Sequence, residues 1–471
     1  MKFAAEDTIA APATQPGSGA VAMVRISGPD TFSILDQLVH FKSGNASTST
    51  GYRVKYGVIM DSETDVLDEV LVALYRAPHS YTGEDMAEIC SHASFYIVSR
   101  LMELLTGFGA RPAGPGEFTK RAFMNGKMDL VQAEAVADVI AAEGREAHRI
   151  AMRQLRGGFS AELDQMRAAL LEMTSLMELE LDFSEEDVEF ADRTRLRELL
   201  DRVDSHLVRL IDSFRTGNAI RRGVPVAIVG AANAGKSTLL NALLQDDRAI
   251  VSDIAGTTRD TIEETMTLDG ILFRFIDTAG LRETEESIER AGIERSLRKL
   301  SEAAVVLAVL DASASLNEWN SSLNLIAKTM SHSEQKLIVV LNKADVLGYN
   351  INVTNINNIV SQFDLKSVIV SISAKSGYGI ENLKKSIYES WYNKNRSSDE
   401  TLIFNTRHLD ALRKAHASLL RVRDGLASSL PSDLVAQDLR DTIESLGSIL
   451  GQSITPDEIL GNIFRNFCIG K

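Results

Sequence analysis

A chain of 471 residues with 44% hydrophobic and 24% charged residues has the composition of a water-soluble protein. It is too long for one hydrophobic core, so on the order of two or three domains are expected. A formal net charge of −15 excludes a protein that coats nucleic acid through cationic charge alone and leaves only local RNA contacts, because phosphate binding scales with the lysine and arginine count. Cys90 and Cys468 stand far apart without CxxC or Cys/His spacing, which supports neither a disulfide framework nor a zinc site and fits a reducing cytoplasm. No apolar run approaches the roughly 18 residues of a membrane span, and Lys471 is a poor last residue for prenylation at Cys468. Neither a membrane nor DNA is expected as a partner.

Residues 1–118 mix short β-branched runs, Val21 to Ile26 and Val70 to Leu74, with turns and a predicted helix at Ser94 to Leu105. This is the pattern of an α/β domain. Over residues 119–220 Gly and Pro become sparse, and Leu163, Met166, Leu170, Met173 and Met177 recur at helical spacing. A helical domain is predicted there, with the methionine stripe as core packing. The run Ser184-Glu185-Glu186-Asp187 marks the start of another helix, since carboxylates are favoured at helix N-termini. Arg145, His148, Arg149, Arg153 and Arg156 along one helix, and Arg215, Arg221 and Arg222 further on, offer basic patches; a solvated helix face accounts for both.

Residues 221–390 change character. Apolar runs at Val224 to Val229, Ile271 to Ile276, Val305 to Leu310, Leu337 to Leu341 and Val368 to Ile372 are separated by helix-length amphipathic segments. Continuous apolar strands suit a sheet covered on both faces, so a doubly wound, mainly parallel sheet is predicted. Residues 391–471 return to helix at His408 to Arg423 and Leu434 to Leu450, which makes the sheet domain an insertion in a helical one. The fold class is multidomain α/β.

Chemistry concentrates in the insertion. After the strand Val224 to Val229 comes Gly230-Ala231-Ala232-Asn233-Ala234-Gly235-Lys236-Ser237, followed by a helix beginning at Thr238. Such a loop turns backbone N–H groups inward around phosphates, its lysine reaches the terminal phosphates and its serine ligates Mg2+. Gly230, Asn233, Ala234, Gly235, Lys236, Ser237 and Thr238 form this phosphate-binding set. Asp277-Thr278-Ala279-Gly280 follows the next apolar strand, where an Asp can hold Mg2+ through water and a Gly N–H can sense the terminal phosphate. Asn342-Lys343-Ala344-Asp345 follows the strand Leu337 to Leu341. Guanine offers a ring N–H and an exocyclic amine side by side, which one carboxylate, Asp345, can accept together. Ser373, Ala374 and Lys375 add backbone contacts to the base. GTP is therefore the expected ligand. Leu281, where many GTPases carry a water-orienting Gln, cannot hydrogen-bond water.

The segment Ser252-Asp253-Ile254-Ala255-Gly256-Thr257-Thr258-Arg259-Asp260 resembles the switch loop of potassium-activated GTPases. That resemblance implies that Asn233 and the carbonyls of Ser252, Ile254 and Thr257 hold K+, that Thr258 completes the Mg2+ shell, and that Asp253, Ala255 and Gly256 line the nucleotide. The alternative is that Asn233 stabilises the loop and Arg259 or Arg282 acts as an arginine finger.

Motifs outside the insertion extend the resemblance. Asp7-Thr8-Ile9-Ala10, Val24-Arg25-Ile26-Ser27-Gly28, Tyr81-Thr82-Gly83-Glu84-Asp85, Pro115-Gly116-Glu117-Phe118-Thr119, Asn125-Gly126-Lys127-Met128-Asp129-Leu130 and the terminal Phe467-Cys468-Ile469-Gly470-Lys471 resemble the MnmE/TrmE-type tRNA uridine modification GTPases from Asp7 to Lys471. The resemblance implies an N-terminal domain that binds 5-formyltetrahydrofolate or a related folate and forms a homodimer. It also implies a heterotetramer with an FAD-dependent MnmG/GidA-type subunit, and carboxymethylaminomethylation of the tRNA wobble uridine in the cytoplasm. Arg25, Glu88, Lys127 and Lys471 align with folate-contacting positions. Glu289 aligns with the residue that orients or activates water, and Lys236 and Asn233 complete the catalytic set. Two departures stand out: Ala232 replaces a usual Pro, and His92-Ala93-Ser94 replaces His-Gly-Gly. A GTP-switched ribosome-assembly factor without modifying chemistry is the alternative, and the folate-matching residues with the C-terminal motif favour modification.

Overall fold

The protein is described from a computed structural model, covering residues 7–15, 17, 19–182, 193–231, 233–245, 264–276, 300, 303–330, 335–347, 354–361, 367–391, 401–428, 430, 432–452, 463–464, 467 and 470. The chain divides into two units. One comprises Met1–Ala141, Ala151–Arg209 and Thr406–Lys471, and the other Ala142–Ile150 and Leu210–Asn405.

The first unit opens with strands β1 (Ile9–Pro12), β2 (Val21–Ser27), β3 (Val39–Phe41), β4 (Arg53–Met60), β5 (Val66–Tyr75), β6 (Met86–His92) and β7 (Arg111–Pro112). They form a seven-stranded sheet in the order β3-β4-β5-β6-β2-β1-β7, antiparallel except for the β1/β7 pair. Alternation decides its faces. Val24, Ile26, Val70, Val72, Leu74, Ala87 and Ile89 point to one side, where the helices Thr31–Leu38 and Phe95–Gly107 cover them. Val21, Val54, Tyr56 and Leu71 project from the other side and are exposed.

The helical part follows the predicted spacing. Leu163, Met166, Leu170, Met173 and Met177 are all buried along the helix Gly158–Asp182, which packs on Ser432–Leu450; that helix in turn pairs with Thr406–Ala427. The helix Leu130–Ile140 starts with a capping box, in which Asp129 and Gln132 each bond the other's backbone N–H and so satisfy orphan donors of the first turn. Among the described residues no helix is long and apolar enough to cross a membrane.

The second unit holds β8 (Val224–Gly230), β9 (Glu264–Leu268), β10 (Ile271–Ile276), β11 (Val305–Asp311), β12 (Lys336–Asn342) and β13 (Ser367–Ser371). Their order is β13-β12-β11-β8-β10-β9, all parallel except the β9/β10 hairpin. Both faces are dry. In β11, Val305, Leu307 and Val309 join one apolar cluster with Leu239 and Leu243, while Val306, Ala308 and Leu310 join another with Trp319 and Leu323. That is why the strands read as unbroken apolar runs, and the doubly wound, mainly parallel sheet is as predicted. Its order reverses at β8, and ligands in such sheets bind beyond the carboxyl ends of the strands at the reversal.

Candidate functional site

Strand β8 ends at Gly230, where the chain passes so close to β11 that a Cβ would lie 2.2 Å from the Val309 carbonyl oxygen. The loop then turns through Asn233 and Gly235, with φ of 61° and 90°. A side chain at Gly235 would meet both this left-handed backbone and the Asn342 amide at 2.3 Å. Gly235 caps the helix Lys236–Leu244, whose first N–H groups have no intrahelical partner and favour anions. Lys236 Nζ donates to the carbonyl oxygens of Gly230 at 3.0 Å and Ala231 at 2.8 Å. Burial pushes its ammonium below the ordinary lysine range. Asn233, Ser237 and Thr238 are exposed at the same loop.

The neighbouring strand ends supply the other two loops. Asn342, at the end of β12, is 3% exposed. Its Nδ2 donates to the Ala234 carbonyl at 2.8 Å, and its Oδ1 accepts from the Ala374 N–H at 3.0 Å. One side chain therefore ties the phosphate loop to the segment Ser373, Ala374 and Lys375. Ser373 is buried, its N–H bonded to the Tyr378 carbonyl at 3.0 Å, while Lys375 is exposed. Lys343 adopts φ 65°, and Asp345 stands exposed in the short 3-10 helix Ala344–Leu347.

Ser252, Asp253, Ile254, Ala255, Gly256, Thr257, Thr258, Asp277, Thr278, Ala279, Gly280, Glu289 and Lys471 lie outside the described residues, as do Ser184 to Asp187, Ala232, Arg259, Leu281, Arg282 and Cys468.

A second cluster sits on the opposite face of the seven-stranded sheet, where Phe118 of the helix Glu117–Met124 packs against Ile9 and Ala11 of β1. The β2/β6 register sets Arg25 opposite Glu88. Arg25 Nη2 and Nε donate to Glu88 Oε1 at 2.7 and 3.1 Å, and Nη1 donates to the Gly470 carbonyl at 3.0 Å. The Tyr81 and Phe118 rings lie 5.4 and 5.6 Å from its guanidinium carbon, within cation–π range. Tyr75 donates to Glu88 Oε2 at 3.4 Å. Lys127 instead donates to the Pro78 carbonyl at 2.9 Å. The departure at His92 is tied down locally, since its N–H and Nδ1 both bond Asp68, at 2.8 and 2.7 Å. Sequence reasoning did not reach Tyr75, the Gly470 contact or the double bond of Asn342, because strand register and tail docking have no linear signature.

Of the basic helical residues, Arg149 pairs with Glu146, Arg153 with Glu162, and Arg221 lies over the Phe404 ring at 5.3 Å.

A glycine-bounded phosphate loop at the reversal of a doubly wound sheet, with an Asn-Lys-Ala-Asp motif two strands away, defines a P-loop GTPase. The family model described as the MnmE helical domain matches residues 130–468, and the one for the GTP-binding protein TrmE N-terminus matches residues 8–127. The tRNA modification GTPase MnmE of Parabacteroides distasonis is 47% identical over 470 residues, 98% of this chain and 100% of that one. The protein of that name from Porphyromonas gingivalis is 47% identical, covering 99% and 98%. That from Bacteroides thetaiotaomicron is 48% identical, covering 99% and 100%. The chain belongs to the MnmE family of tRNA modification GTPases.

Proposed function

We propose that this chain is a potassium-activated GTPase that works with a flavin-dependent MnmG/GidA-type partner to install a carboxymethylaminomethyl group at carbon 5 of the tRNA wobble uridine. The observation that carries the reading is the Asn342 bridge: one buried amide holds the phosphate loop and the base-facing loop in a single frame, in a chain matched over its length by tRNA modification GTPases. Family membership favours modification over ribosome assembly.

Within that frame Lys236 exchanges its loop carbonyls for terminal phosphate oxygens, whose charge restores the ammonium that burial disfavours. Asp345 accepts the guanine N–H groups, and Ser373, Ala374 and Lys375 back the base. Ser237 and Thr258 would hold Mg2+, with Asp277 behind it. Asn233 would hold K+ with the carbonyls of Ser252, Ile254 and Thr257. The exposed oxygen-bearing side chains of Asn233 and Ser237 on the phosphate loop fit such hard cations. The cations supply charge neutralisation between the phosphates, and Glu289 orients the water that Leu281 cannot.

Residues 1–118 are assigned to folate binding and dimerisation, 119–220 and 391–471 to the helical domain, and 221–390 to the GTPase domain. Arg25 and Glu88, flanked by Tyr81 and Phe118, suit a flat heterocycle with an anionic tail, to which Lys127 and Lys471 add charge. The exposed row of Val54, Tyr56 and Leu71 on the same sheet face suits a second copy of the chain.

GTP turnover by the purified protein tests the ion proposal. The rate should be much higher in KCl than in NaCl, and Asn233→Ala should lose that difference while still binding nucleotide. Equal wild-type rates in the two salts would remove potassium from the account.

A further inference from the structure

Beyond the residues that touch nucleotide in this reading, one fixed carboxylate stands behind the base-facing loop. Asp311 closes β11 and pairs in register with Asn342. Its backbone is held on two sides, the carbonyl accepting from the Trp319 indole N–H at 2.8 Å and from the Ala314 N–H at 3.1 Å. Its carboxylate is fixed as well: Oδ1 accepts from the Ser313 N–H at 2.9 Å and hydroxyl at 2.6 Å, and Oδ2 accepts from Lys343 Nζ at 2.7 Å. Lys343 lies between Asn342 and Asp345, in the left-handed region at φ 65°, a conformation that a side-chain-bearing residue keeps only when its surroundings impose it. Its carbonyl accepts from the Val346 N–H at 3.0 Å, so the residue that Asp311 tethers also starts the turn carrying Asp345. Among the described residues, the Asp345 carboxylate has no hydrogen-bond or ion-pair partner.

A lysine ammonium on a flexible four-carbon stem seeks a carboxylate, and Asp345 is two residues away. Were Lys343 to pair there, the oxygens needed for the base would be occupied. We infer that Asp311 is a positioning residue for guanine recognition: it holds the Lys343 ammonium away from Asp345 and keeps that carboxylate open to the two guanine N–H groups. The inference rests on the reading of Asp345 as the guanine-reading residue.

Affinities for GDP and IDP, measured on the full chain by competition with a fluorescent guanine nucleotide, test it, because IDP lacks the exocyclic amine and engages Asp345 through one N–H only. Asp311→Asn should narrow the preference for GDP over IDP by about tenfold, the scale of one hydrogen bond to a charged group. Asp311→Asn combined with Lys343→Met should recover most of it, since removing the lysine removes the competitor; general damage to the loop would not be reversed by a second deletion. An unchanged preference in Asp311→Asn, or a double variant no better than the single one, overturns the inference. If Asp311→Asn does not fold, the double variant is compared with Lys343→Met alone. Equal GDP/IDP ratios support action through the lysine, and a lower ratio in the double variant overturns it. Asp345→Asn separates the two levels. If it abolishes the preference while Asp311→Asn leaves it unchanged, only the role of Asp311 fails; if it leaves the preference intact, the reading of Asp345 fails and the inference with it.

Discussion

Asn342 and Asp345 belong to one short motif but do different work. The first is buried and bonds backbone on both sides, so Asn342→Ala should leave the Ala374 N–H without its acceptor at a cost of about 1–3 kcal/mol, lowering the thermal midpoint and weakening all nucleotides alike. The second is exposed and, in the proposed function, is the group that takes the base. Asp345→Asn should shift preference from GTP toward xanthosine triphosphate, because an amide donates where the carboxylate only accepts; an unchanged preference in a competition assay would show that Asp345 does not read the base. A third case is Glu134, which accepts from Arg407 at 2.9 and 3.0 Å and from the buried His408 at 2.7 Å. Burial alone would raise its pKa, but His408 and Arg407 outweigh it and hold the carboxyl down to about 2. Its stabilisation is complete above the ordinary carboxylate value of about 4.3 and is lost as pH falls toward 2. Burial pushes His408 below its usual 6.5, so the folded state favours neutral imidazole and stability declines as pH falls through that value. The wild-type unfolding midpoint should therefore drop more steeply than that of His408→Gln between about pH 7.5 and 5.5, and equal slopes in thermal melts would contradict this. None of these partnerships was legible in the sequence. The motif residues were, because a phosphate or a guanine needs particular groups at fixed spacing.

At the scale of elements, legibility followed burial. The runs that became β8, β10, β11, β12 and β13 were visible because the sheet is buried on both faces around β11 and most positions are apolar, with Arg274 in β10 an exception. The methionine stripe was visible because one helix face is dry, and Met173→Ala should cost about 2–5 kcal/mol by opening a cavity, read as a fall in the denaturant midpoint. Strands β1, β3, β4, β6, β7 and β9 were not singled out. They are short or half-exposed, and β4 carries outward-facing Val54 and Tyr56, so neither periodicity nor a continuous run marks them. The predicted helix His408 to Arg423 extends over Thr406–Ala427; its first turn includes Arg407 and His408, whose attachment to Glu134 no local pattern announces.

Over the whole molecule, the chain leaves the first unit at Ala142 and again at Leu210, the latter inside the helix Arg193–Arg222, and returns to it at Ala151 and at Thr406. A nucleotide-binding unit so inserted separates two testable functions. Arg25→Ala should weaken 5-formyltetrahydrofolate binding in calorimetry, because a charge-assisted contact worth about 1.5–3 kcal/mol is lost, while GTP turnover persists; undiminished folate affinity would place the ligand elsewhere. In the proposed function the GTPase unit serves tRNA modification. Mass spectrometry of wobble uridines measures this most directly, in tRNA from cells that lack the gene and carry either the wild-type chain or Lys236→Ala. Carboxymethylaminomethyl-type uridine should be present with the wild type and lost with Lys236→Ala. Normal modification in cells carrying only the variant, or none with the wild type, would contradict it.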